Sequence, residues 1–327
     1  MQLDPLVIFL GGLVVIILGA EFVLRGSSYI ATRLGIKPII IGLTIVSIGT
    51  SAPELAVGIT AVSEGRSDIA VGNIAGTNML NILFILGLSA MMRPLKIHLL
   101  SIRLDVPVMV AAAVVLFIMS LDGVLSTIDG ILLLLGGTVY VIALIRFSRK
   151  ASVKLKQEFS VEFSKEALVP RHSKGIVVLY GLMLIAGIAL TILGADLLVA
   201  GAVQIAASMG VSDALIGLTI VAIGTSAPEL ATTIMATIKD ERDVAIGNLI
   251  GSSISNIVVI LGVICVVSPG GVLVSSDILW LDLPLAAAVA IVCYPVFKSD
   301  RTVTRLEGTL FVLAYLAYMG TLIFLRT

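Results

Sequence analysis

The phrase IGLTIVSIGTSAPELA at residues 41–56 returns at 216–231 as IGLTIVAIGTSAPELA, with only Ser47 and Ala222 different. The same offset of 175 aligns GNIAGTNMLNILFILG (72–87) with GNLIGSSISNIVVILG (247–262), where eight of sixteen positions agree. It also places Glu21 on Asp196 and Pro94 on Pro269, and Asp105-x-Pro107 matches Asp282-x-Pro284 with two residues added. Agreement of this length means duplication. Whatever the first half folds into, the second half must fold into as well.

The apolar runs say what that is. The chain is 58% hydrophobic and 13% charged, where a soluble domain carries about 25% charged residues. Its runs exceed the roughly 18–20 apolar residues that make a membrane-spanning helix. They are continuous rather than alternating, which weighs against a β-barrel. The expected fold is an all-α polytopic membrane protein with ten spans near 5–26, 37–62, 69–91, 104–121, 126–146, 175–199, 213–238, 244–267, 278–297 and 306–325. The N-terminus lacks a basic region and a cleavage pattern, so it reads as the first span rather than a removable signal. The longest polar stretch, 147–174, divides the chain into a five-helix repeat (1–146), a linker and a second repeat (175–327).

Basic residues set the orientation, since cytoplasmic loops carry the excess of Lys and Arg. With ten spans, 19 of the 21 fall on one side, and only Arg66 and Arg326 on the other. The linker is therefore expected in the cytoplasm and both termini outside. Five spans per copy is an odd number, so the second copy enters the membrane from the opposite side. Such inverted repeats are the architecture of many secondary transporters, whose substrate site lies near the midplane where the repeats meet.

Glu54 and Glu229 stand at membrane depth, where ionisable residues are costly and mark ion pathways. Each lies 16 residues into its span, about 24 Å along a straight helix, so the two would overshoot each other unless both helices bend. Pro53 and Pro228 supply a bend, because proline lacks an N–H and clashes with the carbonyl four residues earlier. Gly49-Thr50-Ser51 and Gly224-Thr225-Ser226 ease local unwinding. Irregular backbone at this depth is tolerated where it lines a cavity, and cavities rich in oxygen suit hard cations. The bland reading is a structural kink beside glutamates that face neighbouring helices, and finding two symmetric copies weighs against it.

In the third and eighth spans, Asn73, Thr77 and Asn81 recur every four residues, as do Asn248, Ser252 and Asn256. Each trio stays close to one helical face. Asn73, Asn78 and Asn248 are equally well read as glue between helices; Asn81 and Asn256 are the deepest pair. Gly72, Gly76, Gly247 and Gly251 form small-xxx-small patterns for close packing. Glu21 has Arg25 at i,i+4, whereas Asp196 has Ala200 there. Cys265 and Cys293 read as small buried hydrophobes. His98 and His172 are loop residues with no assigned role.

With both GTSAPEL copies and both GN…N segments in place, the chain resembles the sodium/calcium exchanger family within the cation/Ca²⁺ antiporters, over both halves. The short linker is similar to the prokaryotic branch. The resemblance implies a cation site on spans two, three, seven and eight. It implies Glu54 and Glu229 as acidic ligands, Thr50 and Thr225 as oxygen donors, and Asn81 as the central amide. It further implies Ser51, Ser226, Thr77 and Ser252 at flanking Na⁺ positions, with the carbonyls of Ser47 and Ala222. Many members carry Asp where this chain has Asn256, leaving two carboxylates, which balance one Ca²⁺.

The expected function is a secondary antiporter exchanging Ca²⁺ for Na⁺ by alternating access, in a prokaryotic plasma membrane. A Ca²⁺/H⁺ or K⁺-dependent exchanger is the alternative, since protons can occupy the same carboxylates; a channel is the more distant one. No GxxxxGK[ST] phosphate loop is present to drive a pump. Neither an HExxH nor a nucleophile–base pair supports an enzyme, and no cofactor or nucleic-acid partner is expected. The partners are the transported Ca²⁺ and Na⁺ and membrane lipid.

Overall fold

A computed structural model describes residues 4–34, 38–99, 101–149, 174–209 and 222–326. The linker between 150 and 173, with His172, lies outside the described residues, as does the start of the seventh predicted span with Asp213. The helical segments run α1 Pro5–Leu34, α2 Pro38–Ser63, α3 Asp68–Met92, α4 Ser101–Asp122, α5 Thr127–Arg149 and α6 Lys174–Ser208. Then come α7, formed by Ala222–Thr225 and Ala227–Ile238, α8 Arg242–Val267, α9 Ile278–Lys298 and α10 Arg305–Arg326. Among the described residues, eight of these segments, all but α7 and α10, are long and apolar enough to cross a membrane.

Helices α1 and α6 reach eight or nine residues beyond the predicted spans. The cause is their mutual packing. Glycines at 12, 19 and 26 on α1, and at 187, 194 and 201 on α6, repeat every seven residues and map onto one another at the 175-residue offset. A Cβ at Gly12 would lie 2.4 Å from the backbone N of Leu198; at Gly194, 2.4 Å from that of Ile16; at Gly201, 2.5 Å from that of Phe9. The two backbones therefore touch along their length, antiparallel. Within lipid, packing of small residues rather than hydrophobic burial drives helix association. Gly12→Ala is expected to cost roughly 1–3 kcal/mol of overpacking. Gly11→Ala next to it meets nothing within 4 Å and should be neutral or mildly stabilising, as Ala is the better helix former. Thermal unfolding in detergent of the two variants side by side checks the contrast.

Helices α3 and α8 are the most buried, 72% and 78% of their spanning windows against 28% and 17% for α1 and α6. One continuous core joins α3 and α8 to α4, α5, α9 and α10 through residues such as Ile74, Met109, Leu144, Ile250, Cys265 and Phe297. Both cysteines are buried, as expected. Two short antiparallel strand pairs tie the loops: β1 (Leu95–Lys96) with β4 (Thr302–Val303), and β2 (Val124–Leu125) with β3 (Val272–Leu273). Each pair joins one loop from each half, and the two pairs are counterparts in the repeat.

The sequence did not reveal widened turns with π geometry at Gly42–Val46, Leu80–Leu86, Ser101–Asp105, Asn256–Leu261 and Ile278–Asp282. Among the described residues four of these occur as repeat-related pairs, in α3 with α8 and in α4 with α9, and the counterpart of Gly42–Val46, at 217–221, lies outside the described residues. Such π turns are frequent at functional sites.

Candidate cation site

In α2 and α7 the chain breaks in the same place. Ser51 (φ −82°, ψ 11°) and Ser226 (φ −91°, ψ 9°) leave the helical region, and new helices start at Ala52 and Ala227. Pro53 and Pro228 sit in the first turn of these second segments, where their missing N–H costs nothing. The bend thus lies two residues before each proline rather than at it. Glu54 and Glu229 stand in the first turn of the new segment, at its positive end.

Both glutamates are fully buried. Each is held by the other half. Ser226 Oγ donates to Glu54 Oε1 at 3.4 Å, and Ser51 Oγ donates to Glu229 Oε1 at 3.2 Å. Hydroxyls of Thr50 and Ser252 also approach Glu229. Thr77 Oγ1 lies 3.4 Å from Ser226 Oγ, and since the serine proton is engaged by Glu54, the threonine hydroxyl is the donor of this contact. The Ser47 carbonyl accepts Thr50 Oγ1 at 3.3 Å and Ser252 Oγ at 3.5 Å. The expected residues thus gather in two groups, around Glu54 with Ser226 and Thr77, and around Glu229 with Thr50, Ser51, Ser252 and the Ser47 carbonyl. Ala222 opens α7.

Oε2 of both glutamates, both amide atoms of Asn81 and Oδ1 of Asn256 are buried without a hydrogen-bond partner. Buried polar atoms are nearly always satisfied, and buried charges are paired or bind metal. Among the described residues no three His, Cys, Asp or Glu side chains gather, so any cation here draws its remaining oxygens from hydroxyls, amides and carbonyls. That donor set fits hard cations such as Ca²⁺ and Na⁺.

A cavity of about 690 Å³ is lined by Thr77 and Thr225, two of the expected site residues, and by Arg66, Asp68 and Asp277. Gly76 borders it, and a Cβ there would meet nothing within 4 Å. The small-residue pattern of α8 behaves oppositely. A Cβ at Gly251 would lie 2.7 Å from Leu43 Cα, and one at Gly247 2.7 Å from the Ile39 carbonyl.

Several residues act beyond the sequence reading. Asn248 Oδ1 shares the single Thr50 hydroxyl proton with the Ser47 carbonyl, each at 3.3 Å, and its Nδ2 donates to Thr233 Oγ1 at 3.2 Å and the Glu229 carbonyl at 3.5 Å. It braces α2, α7 and α8 around the centre, which is more than glue between two helices. Asp105 and Asp282, seen only as a recurring Asp-x-Pro, accept Tyr140 OH at 3.0 Å and Tyr318 OH at 3.1 Å. The recurrence of both tyrosines near the repeat offset was the available signal. Glu21 pairs with Arg25 at 2.5 Å as its spacing implied, and also with Lys239.

The family described as "Sodium/calcium exchanger protein" matches residues 5–146 and 179–324. The sodium/calcium exchanger MaX1 of Methanosarcina acetivorans is 31% identical over 350 aligned positions, covering 97% of this chain and 98% of its own. The inner membrane protein YrbG of Escherichia coli is 38% identical over 261 positions, 79% of this chain and 78% of its own. A solved structure of the sodium-calcium exchanger NCX_Mj, soaked with zero Na⁺ and Ca²⁺, superposes with a TM-score of 0.80 at 27% identity. That match covers 97% of this chain and 98% of the other.

Proposed function

The chain belongs to the sodium/calcium exchanger family, and from that premise we propose that it exchanges Ca²⁺ for Na⁺ through one site built between its two halves. It is a multi-pass membrane antiporter, and the setting that suits its prokaryotic relatives is the plasma membrane. The observation that carries the site is the reciprocal hold on Glu54 and Glu229. Each accepts a serine hydroxyl from the opposite repeat, and each keeps one buried oxygen unpartnered.

Two carboxylates in this environment need compensating positive charge. One Ca²⁺ balances them, and so do two Na⁺, so the ions compete for the same oxygens. Glu54, Glu229, Asn81 and Asn256 supply the centre. Thr50, Ser51, Ser252 and the Ser47 carbonyl flank it on one side; Thr225, Ser226, Thr77 and the Ala222 carbonyl flank it on the other. A proton on either glutamate removes a charge that the cation needs, so acid lowers Ca²⁺ binding.

The organisation proposed around this site is ten spans in two inverted repeats, 1–146 and 175–327, joined by a cytoplasmic linker at 147–174, with both termini outside. The strand pairs favour it. They join loops of the two halves that this topology puts on one side, β1 with β4 inside and β2 with β3 outside. The open cavity then faces outward, on the side of Arg66, while α8 seals against α2 toward the cytoplasm. Exchange requires the inverted halves to swap these roles, carrying the ion past the midplane.

Proteoliposomes loaded with Na⁺, K⁺ or acid, one gradient at a time, test the assignment by uptake of radiolabelled Ca²⁺. The expected result is uptake driven by the outward Na⁺ gradient. Uptake driven by a pH gradient without Na⁺ would move the protein to Ca²⁺/H⁺ exchange.

A further inference from the structure

Asn78 takes part in a hydrogen-bond chain whose direction is fixed at one end. Its Nδ2 donates to the backbone carbonyl of Ser253 at 3.0 Å. A carbonyl only accepts, so this bond identifies the nitrogen end of the Asn78 amide, and its oxygen lies on the other side. That oxygen accepts Nδ2 of Asn256 at 3.2 Å. The same logic passes to Asn256: its nitrogen is committed, and its Oδ1 is left buried with no partner.

The repeat counterpart of Asn256 is Asn81, and both of its amide atoms are unpartnered. The counterpart of Asn78 is Ser253, whose Oγ turns back to the Leu249 carbonyl of its own helix at 2.9 Å. One half of the duplication therefore carries a device to orient a central amide, and the other half lacks it.

We propose that Asn78 is a positioning residue that sets the Asn256 amide so that its oxygen, and not its NH₂, faces the transported cation. The proposal rests on the reading that the cation sits between Glu54 and Glu229. An amide differs from a carboxylate here: one end attracts a cation and the other repels it. Partners outside the ligand shell orient ligands and tune affinity. A site with an amide at residue 256 needs such a partner, and Asn78 is placed to act as one.

The test is the apparent KM for Ca²⁺ in Na⁺-loaded proteoliposomes, with radiolabelled Ca²⁺ binding to detergent-solubilised protein alongside. Asn78→Leu, which keeps the branched shape and removes both polar atoms, is expected to raise KM and weaken binding about 10-fold with kcat near wild type. In the Asn256→Asp background both ends of the side chain are oxygen, and there is nothing to orient. Adding Asn78→Leu there should not raise KM, because a carboxylate at 256 has no N–H to donate to the Asn78 oxygen and the change removes no hydrogen bond to it. An equal loss in both backgrounds would mean that Asn78 acts by packing, and it would overturn the proposal, as would an unchanged KM in the single variant. Asn78→Ala gives the same comparison if the leucine variant does not fold. Glu229→Gln runs in parallel: Ca²⁺ binding that survives it removes the glutamate site itself, a failure separate from that of Asn78.

Discussion

Glu54→Gln and Glu229→Gln are each expected to abolish Na⁺-driven Ca²⁺ uptake, by at least 100-fold. Either change leaves a divalent ion facing one carboxylate at a buried position. Removing one partner from a buried charge pair costs roughly 3–5 kcal/mol, which corresponds to about 10²–10³ or more in affinity. Glutamine keeps the shape and an oxygen to accept the Ser226 or Ser51 hydroxyl, so the fold should persist. The variants can therefore be separated from misfolded protein. A ligand that binds only the native state raises its melting temperature, so Ca²⁺ should stabilise the wild type in detergent and leave both variants unmoved. Wild-type uptake in either variant would remove the proposed centre.

The duplicated GTSAPEL phrase made the glutamates, serines and threonines legible from sequence, because charge at membrane depth is scarce and two copies cannot both be accidents. The proposed inversion rests on an odd number of spans and on the placement of Lys and Arg. What stayed hidden depends on geometry rather than residue type. The π turns at Leu80–Leu86 and Asn256–Leu261 carry no sequence mark, since their residues would serve equally in an α-helix. The role of Asn78 hides because its repeat counterpart is a serine. The Gly12, Gly19, Gly26 series was visible at a period of seven, but only the antiparallel contact with α6 gives that period meaning.

Gly76 of α3 and its repeat counterpart Gly251 of α8 have opposite surroundings, and this asymmetry predicts opposite traps. Gly251 packs on the Leu43 backbone, whereas Gly76 borders the open cavity. Inverted repeats that exchange roles require Gly76 to be packed, and Gly251 to be open, in the alternate state. Gly251→Val then penalises the present state, and Gly76→Val penalises the other. Overpacking against backbone costs roughly 1–3 kcal/mol, enough to shift a two-state population about 5- to 150-fold. Both variants should slow exchange by that order. Ser275→Cys, which lines the cavity, reports the direction, because the native Cys265 and Cys293 are buried. Labelling from outside by an impermeant thiol reagent should fall with Gly251→Val and hold or rise with Gly76→Val. Equal labelling in the two, or wild-type exchange with Gly76→Val, would show that these glycines do not seal opposite faces in turn. The contrast would then belong to a static difference between the halves rather than to the transport cycle.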